Sequence, residues 1–302
     1  MCIAIIGAGA MGGLLGFYLS HVTEVVLIDP WAAHVAAINA DGLICAVDGV
    51  DQVRSVRAVA TPDHAGVADL ALVLVKAHQT AWAAQVAQAI LAPQGVVYTL
   101  QNGVGNREIL AQVLGANRVG QAVTALGATL VGPGRVRHAG RGVTHIGAAP
   151  LPHLAHDLAA LWGRAGLPAE VHADVESLVW GKLLVNVGIN ALSAILRVPN
   201  GALAQLPHAR SLLSAAVSEA AAVATARGTT LPYPDPVAHT LAVAHATAAN
   251  RSSMLQDVER HAPTEISTIN GAVVREGERL GIPTPVNQVL MDLIMALEEV
   301  AV

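Results

Sequence analysis

The chain has 302 residues, 53% of them hydrophobic and 13% charged, with a formal net charge of -5. That balance excludes a disordered tail, and the lack of any basic block leaves no footprint for nucleic acid. No run of 18 apolar, uncharged residues is free of Gly, Pro and polar interruptions, and no basic segment opens the chain, so no membrane span and no signal peptide are expected.

The length suits two domains. Only 3% of the residues are aromatic, so the core must be built from small aliphatic side chains. Cys2 and Cys45 lie outside any CxxC or Cys/His metal spacing and read as core or near-core thiols of a cytoplasmic protein. The first element is CIAII at 2–6, a short β-branched strand. A glycine-rich turn and a helical stretch, LLGFYLSH, follow it. Glu24–Asp29 is a second strand that ends in an acid. LALVLVKA near 70–77 and GVVYTLQN at 95–102 give a third and a fourth, with helical segments between. Strands alternating with helices predict a parallel sheet covered on both faces. The stretch 118–147 alternates apolar and polar residues around Gly-Pro-Gly and predicts a hairpin or meander finishing that sheet. After Leu151 the strand signal fades, and from about 175 the pattern is helical. The predicted architecture is α/β: a Rossmann-type parallel-sheet domain over 1–170, then an all-helical domain over 171–302.

The turn after the first strand reads Gly7-x-Gly9-x-x-Gly12 and has its full context: strand before, helix after, and Asp29 at the end of the next strand. Gly7 permits the turn, Gly9 admits a pyrophosphate, and Gly12 lets helix and strand pack closely. Ala10 and Met11 open the helix whose free N–H groups favour phosphate. A carboxylate at position 29 suits ribose hydroxyls and repels a 2′-phosphate. Pro30 and Trp31 follow it, and no Lys or Arg occurs before Arg54. These residues favour NAD(H); the competing reading makes Asp29 a cap for the next helix.

The second half holds a different signal. WGKLLVNVGINALSAI begins at Trp180, and Lys182, Asn186 and Asn190 stand at i, i+4 and i+8 along one side of an otherwise apolar helix. Asn is a mediocre helix former, so this alignment points to the wall of a polar cleft. A lysine ammonium can hydrogen-bond a carbonyl oxygen and then give up its proton. Further polar clusters lie at 250–257, at 264–271 and at Gln101-Asn102-Gly103, the last at the C-terminal end of a strand, where open α/β sheets bind ligands.

With GAGAMG, VKAHQT, QNGVG, GVTHIG, WGKLLVNVGINALSAI, VPNGAL, NRSSMLQDVER and TEISTINGAVV in order, the chain resembles the ketopantoate reductase (2-dehydropantoate 2-reductase) family nearly end to end. The resemblance implies a Rossmann domain followed by a helical domain, with the active site in the cleft between. It implies reduction of ketopantoate to D-pantoate by hydride transfer from a nicotinamide cofactor. It makes Lys182 the proton donor. Glu265 is the acid near the substrate hydroxyl, and Asn102 the amide beside the nicotinamide and the reacting carbonyl. Asn186, Asn190, Asn200, Asn250 and Ser253 would line the substrate pocket, and Lys76 and Gln79 would lie along the cofactor. NADP(H) is the family default, with a basic residue near position 29, so Asp29 is a departure that turns the expectation to NAD(H). The alternative activity is that of an NAD-dependent D-2-hydroxy acid dehydrogenase with a different side-chain pocket. A dinucleotide sensor without activity is disfavoured because Lys182, Asn102 and Glu265 are all present. The 13 histidines form neither HxxxH nor HExxH, so no metal is expected, and His138 and His145 suit a strand surface as readily as a ligand set. The expected partner is a small 2-oxo acid. The apolar C-terminal helices suit a homodimer interface or internal packing equally.

Overall fold

The computed structural model describes residues 1–300 and divides the chain into two compact units. The first comprises Met1–Gln101 and Asn106–Val175; the second comprises Asn102–Gly105 and Glu176 onward. In chain order the first unit carries β1 (Cys2–Ile6), α1 (Ala10–Leu19), β2 (Glu24–Ile28), α2 (Ala32–Asp41), β3 (Leu43–Val47), β4 (Val50–Arg54), β5 (Arg57–Val59) and β6 (Ala68–Val73). It continues with α3 (Thr80–Ile90), β7 (Leu91–Thr99), α4 (Asn106–Leu114), β8 (Val119–Thr124), β9 (Gly127–Gly132), β10 (Arg135–Gly140), β11 (Thr144–Gly147), α5 (Pro152–Arg164) and β12 (Ala169–His172).

Eight strands form one sheet in the order β12-β11-β8-β7-β6-β1-β2-β5, parallel throughout except where β11 meets β8. The continuous apolar runs have a direct cause: both faces are covered. Along β1, Ile3 and Ile5 join a core with Leu14, Leu15, Leu158 and Trp162, whereas Ala4 and Ile6 face the other way, toward Ala83, Ala84, Ala87 and Ile90. The chain runs from β1 to β2 on one side and resumes at β6 on the other. This reversal opens a crevice beyond the C-terminal ends of β1 and β6.

The stretch 118–147 divides between two sheets rather than simply finishing the first. β8 and β11 join the main sheet, while β9 and β10 form a hairpin that pairs with β3 in a second sheet of order β4-β3-β10-β9. Val136 of β10 packs against Gly13 of α1, where a Cβ would meet its Cγ1 at 2.7 Å, so this small sheet is held by the helix that follows the glycine loop. The β3–β4 hairpin turns through Asp48 and Gly49, both at positive φ. Its short strands, like β5 and β12, escape a reading based on long apolar runs.

The second unit carries α6 (Val175–Leu196), α7 (Asn200–Gln205), α8 (Pro207–Ala226), α9 (Pro236–Ala246), α10 (Ser253–Glu259), α11 (Asn270–Leu280) and α12 (Pro285–Val300). No strand occurs among its described residues. α6 is the one described helix long and apolar enough to cross a membrane, and 72% of its most apolar window is buried inside the protein. Its hydrophobicity is that of a core helix: Trp180, Leu183, Leu184, Val187 and Leu192 pack with Leu213, Val217, Ala220 and Val223 of α8. Gly188 makes this approach possible, since a Cβ there would meet Val217 at 2.7 Å and Thr240 at 2.9 Å.

Candidate functional site

In the first unit the glycine loop is built by close approach. Gly7 has φ +95, and a Cβ on it would lie 2.7 Å from the backbone nitrogen of Val75, at the end of β6. A Cβ on Gly12 would lie 1.8 Å from the Gly7 carbonyl oxygen. Gly9 differs: a Cβ there would meet nothing within 4 Å. The space over Gly9, at the start of α1, is therefore open to a ligand, and the first N–H groups of that helix, from Ala10, Met11 and Gly12, have no intrahelical acceptor. These residues fit the diphosphate of a dinucleotide.

Two side chains clamp the loop. The Ala8 N–H donates to Asp29 Oδ2 at 2.8 Å, and the Ala8 carbonyl lies 3.0 Å from His34 Nε2. The Gly134 N–H donates to His34 Nδ1 at 2.9 Å, so the proton of the neutral ring sits on Nε2. The other Asp29 oxygen accepts the Trp31 N–H at 2.9 Å. The cap reading of Asp29 is not what forms: α2 starts at Ala32, its N-cap is Trp31, and no side chain caps it. Each carboxylate oxygen keeps a further lone pair for a ligand hydroxyl. The nearest cation on the neighbouring strand, Arg57, is committed elsewhere, donating to the carbonyls of His64 and Ala65. Sequence reading missed His34, which carries no motif and is identified only by its two bonds.

Lys76 precedes and Gln79 ends the short 3-10 turn Ala77–Gln79 beyond β6; the Gln79 N–H donates to the Lys76 carbonyl at 2.8 Å. Next to it is a polar network absent from the sequence reading. Gln101 Nε2 donates to the Val75 carbonyl at 3.0 Å and to Thr80 Oγ1 at 2.9 Å, and Thr80 Oγ1 lies 2.9 Å from Asn106 Oδ1. Gln101 and Asn106 are the residues on either side of Asn102–Gly105, the four that belong to the helical unit. Thr80 thus ties together the two ends of that excursion.

Within the helical unit, the excursion rests on the turn that follows Glu265. Val104 N–H donates to the Thr268 carbonyl at 3.2 Å. Gly103, at φ +81, packs so closely that a Cβ would lie 2.3 Å from the same oxygen. Asn102 Nδ2 then donates to Glu265 Oε2 at 3.3 Å. Glu265 is 5% exposed. Lys182, half-buried on α6, is the cation that senses this carboxylate. Burial pulls its ammonium from 10.5 down to about 8, against the opposing attraction of Glu265. Lys182, Glu265 and Asn102 therefore form one group, assembled from residues far apart in sequence.

Further along α6, Asn186 is half-buried and Asn190 is 6% exposed. They follow Lys182 at about 6 and 12 Å along the helix axis. The row ends at the buried Ser193, whose hydroxyl lies 2.6 Å from that of Ser252. Ser252 caps α10 by accepting the Leu255 N–H at 3.1 Å, which leaves Ser253 exposed as the first residue of that helix. Asn200 opens α7, and its N–H donates to the carbonyl of the exposed Asn250 at 2.9 Å. Its amide donates to Thr247 Oγ1 at 2.9 Å, while its buried Oδ1 has no partner. An orphaned buried acceptor of this kind is suited to a ligand hydroxyl. Ser193 and Ser252 were missed; helical spacing from Asn190 and adjacency to Ser253 were the available signals.

A doubly covered parallel sheet with a glycine-rich first turn, joined to a helical unit carrying a lysine with a lowered pKa, defines a nicotinamide-dependent oxidoreductase. Residues 3–150 match the family described as ketopantoate reductase PanE/ApbA, and residues 174–298 match the C-terminal part of the same family. A 2-dehydropantoate 2-reductase of Halobacterium salinarum is 37% identical over 298 residues, covering 97% of this chain and 98% of the relative. One from Archaeoglobus fulgidus is 36% identical, over 98% and 97%. Among solved structures, a PanE/ApbA family ketopantoate reductase from Ralstonia eutropha superposes with a TM-score of 0.93 at 37% identity, covering 100% of this chain and 99% of that one. A D-mandelate dehydrogenase, in ternary complex with NADH and anilino(oxo)acetate, superposes with the same TM-score at 30% identity and the same coverage. The chain belongs to the ketopantoate reductase family. It is an oxidoreductase that reduces a 2-oxo acid with a nicotinamide cofactor.

Proposed function

We propose that the chain reduces ketopantoate to D-pantoate, with NADH as the preferred hydride source and Lys182 as the proton donor. The observation that carries the reading is the Lys182 ammonium brought down to about 8 beside the buried Glu265 that also holds Asn102. Hydride delivery is the chemistry the bound cofactor supplies. The chain's own residues deal with the oxygen. Lys182 Nζ and the Asn102 amide take the carbonyl oxygen as negative charge develops on it, and the Lys182 proton moves to that oxygen. An ammonium with a pKa near 8 is still mostly charged at neutral pH, yet releases its proton more readily than an exposed lysine. Glu265 accepts from Asn102, fixing that amide's orientation. Asn186, Asn190, Asn200, Asn250 and Ser253 offer uncharged hydrogen-bonding groups for the substrate's carboxylate and hydroxyl, and the unpartnered Asn200 Oδ1 favours a hydroxylated acid.

Three features support NADH over NADPH: the Asp29 carboxylate, the absence of Lys and Arg before Arg54, and the engagement of Arg57 with two carbonyls. The likeness to a D-mandelate dehydrogenase bound to NADH favours a second reading, in which the substrate is another branched or aromatic 2-oxo acid. One experiment separates these readings: initial rates with NADH and with NADPH, each against ketopantoate and a panel of branched and aryl 2-oxo acids. Highest kcat/KM with ketopantoate and NADH is the expected result. A preference for an aryl 2-oxo acid overturns the substrate, and a preference for NADPH overturns the cofactor assignment. Asp29→Arg should move the preference toward NADPH, and an unmoved ratio would limit Asp29 to holding the loop.

A further inference from the structure

Trp31 is 43% exposed, and no packing role accounts for it. The other three tryptophans are buried or half-buried. One face of its indole lies against the His34 ring, with centroids 5.1 Å apart and planes within 4°. His34 is itself fully buried, and both its ring nitrogens are engaged, with Gly134 and Ala8. The indole therefore has a fixed backing, and its exposure belongs to the remaining face and edges. At the other end, the Trp31 N–H is held by Asp29 Oδ1 at 2.9 Å. A flat aromatic surface is thus presented beside a carboxylate suited to ribose hydroxyls.

We propose that the free face of Trp31 is the platform on which the adenine of the dinucleotide stacks. The inference rests on the reading that this unit takes its nucleotide at Asp29. The base is attached to the same ribose whose hydroxyls Asp29 would accept, so it must lie within one sugar of that carboxylate, and Trp31 is two residues on. Stacking on an indole selects an aromatic base without hydrogen-bond readout. It also gives this chain a hold on the adenosine end that involves no cation.

The test measures binding by titration calorimetry on the whole chain, with NADH, ADP-ribose and reduced nicotinamide mononucleotide as probes. W31A should weaken NADH and ADP-ribose on the order of ten-fold, and W31F should retain most of the affinity. Reduced nicotinamide mononucleotide lacks adenosine, so its affinity should not change. An unaltered NADH affinity in W31A overturns the proposal. So does an equal loss with the mononucleotide, which would mean that the loop, not the platform, had been damaged. A wild-type chain that binds NADPH but not NADH overturns the Asp29 reading alone, and the effect of W31A on NADPH affinity then decides the platform.

Discussion

The sheet-bearing unit offers a ligand mostly backbone: N–H groups at the start of α1, and the open space over Gly9. The helical unit offers side chains: Lys182, Glu265, Asn102 and the amides along α6 and α7. The materials differ because the tasks differ. A diphosphate carries its full charge throughout, and fixed dipoles suffice to hold it. A reacting carbonyl changes charge during the step and must be met by a group that can part with a proton. Burial is accordingly used in opposite ways. In the first unit His34 is buried with both ring nitrogens satisfied, so it stays put. In the second, burial works on a charged amine and makes it a better acid.

The largest expected effect comes from removing the Lys182 ammonium, the proposed proton donor. Lys182→Ala should lower kcat on the order of 10²–10⁴-fold while leaving NADH binding, measured by titration, within about two-fold of wild type. Turnover that survives would remove the proton-donor role. The pH dependence sharpens the same point. Burial lowers the Lys182 pKa, so the ammonium is present below about 8 and absent above it. Reduction rates should therefore fall as pH rises through about 8. Glu265 opposes the shift, so Glu265→Gln should move this limb to lower pH as well as lowering the rate. A limb that stays in place would mean that Glu265 does not sense the lysine in solution.

On the backbone side, two glycines three residues apart should fail differently. Gly12→Ala places a methyl 1.8 Å from the Gly7 carbonyl and damages the fold. The expected loss is on the order of 1–3 kcal/mol, visible in thermal unfolding without any ligand. Gly9→Ala meets nothing in the chain, so its melting temperature should match wild type. Its NADH affinity should nevertheless fall, on the order of ten-fold, because the methyl occupies the space the diphosphate needs. Equal behaviour of the two variants would contradict the assignment of Gly9 to the ligand.

The legibility of the two units follows the same division. The glycine loop was readable because its signature is local: a positive φ at Gly7, the close approach of Gly12 to the Gly7 carbonyl and an acid one strand later, all within 29 residues, although Gly7 also packs against the distant Val75. The parallel sheet was readable because strands buried on both faces become continuous apolar runs. The polar row on α6 was visible through its helical period, yet its meeting with Glu265 and Asn102 joins residues up to 163 apart and came from family resemblance, not from spacing. The second sheet was missed because β3 pairs with β10 across roughly ninety residues and nothing local announces that pairing. His34 and Thr80 were invisible for a related reason: a buried polar residue without a periodic or motif signal declares its role only through its partners.

Thr80 gives the smallest and most specific test. Its hydroxyl links Gln101 to Asn106, the two ends of the excursion that carries Asn102 into the helical unit. Valine keeps the shape and removes the hydroxyl, leaving the Gln101 and Asn106 amides to find other partners, at a cost of about 1–3 kcal/mol. Both units should still fold, with melting lowered by a few degrees. On the role proposed for Asn102, contact with the developing charge rather than ground-state binding, kcat should fall several-fold while KM for the oxo acid stays nearly constant. Thr80→Ser restores the hydroxyl and should restore kcat. If Thr80→Val instead lowers stability alone, with kcat and KM untouched, the network is scaffolding for the sheet edge, and the placement of Asn102 does not depend on the Thr80 hydroxyl.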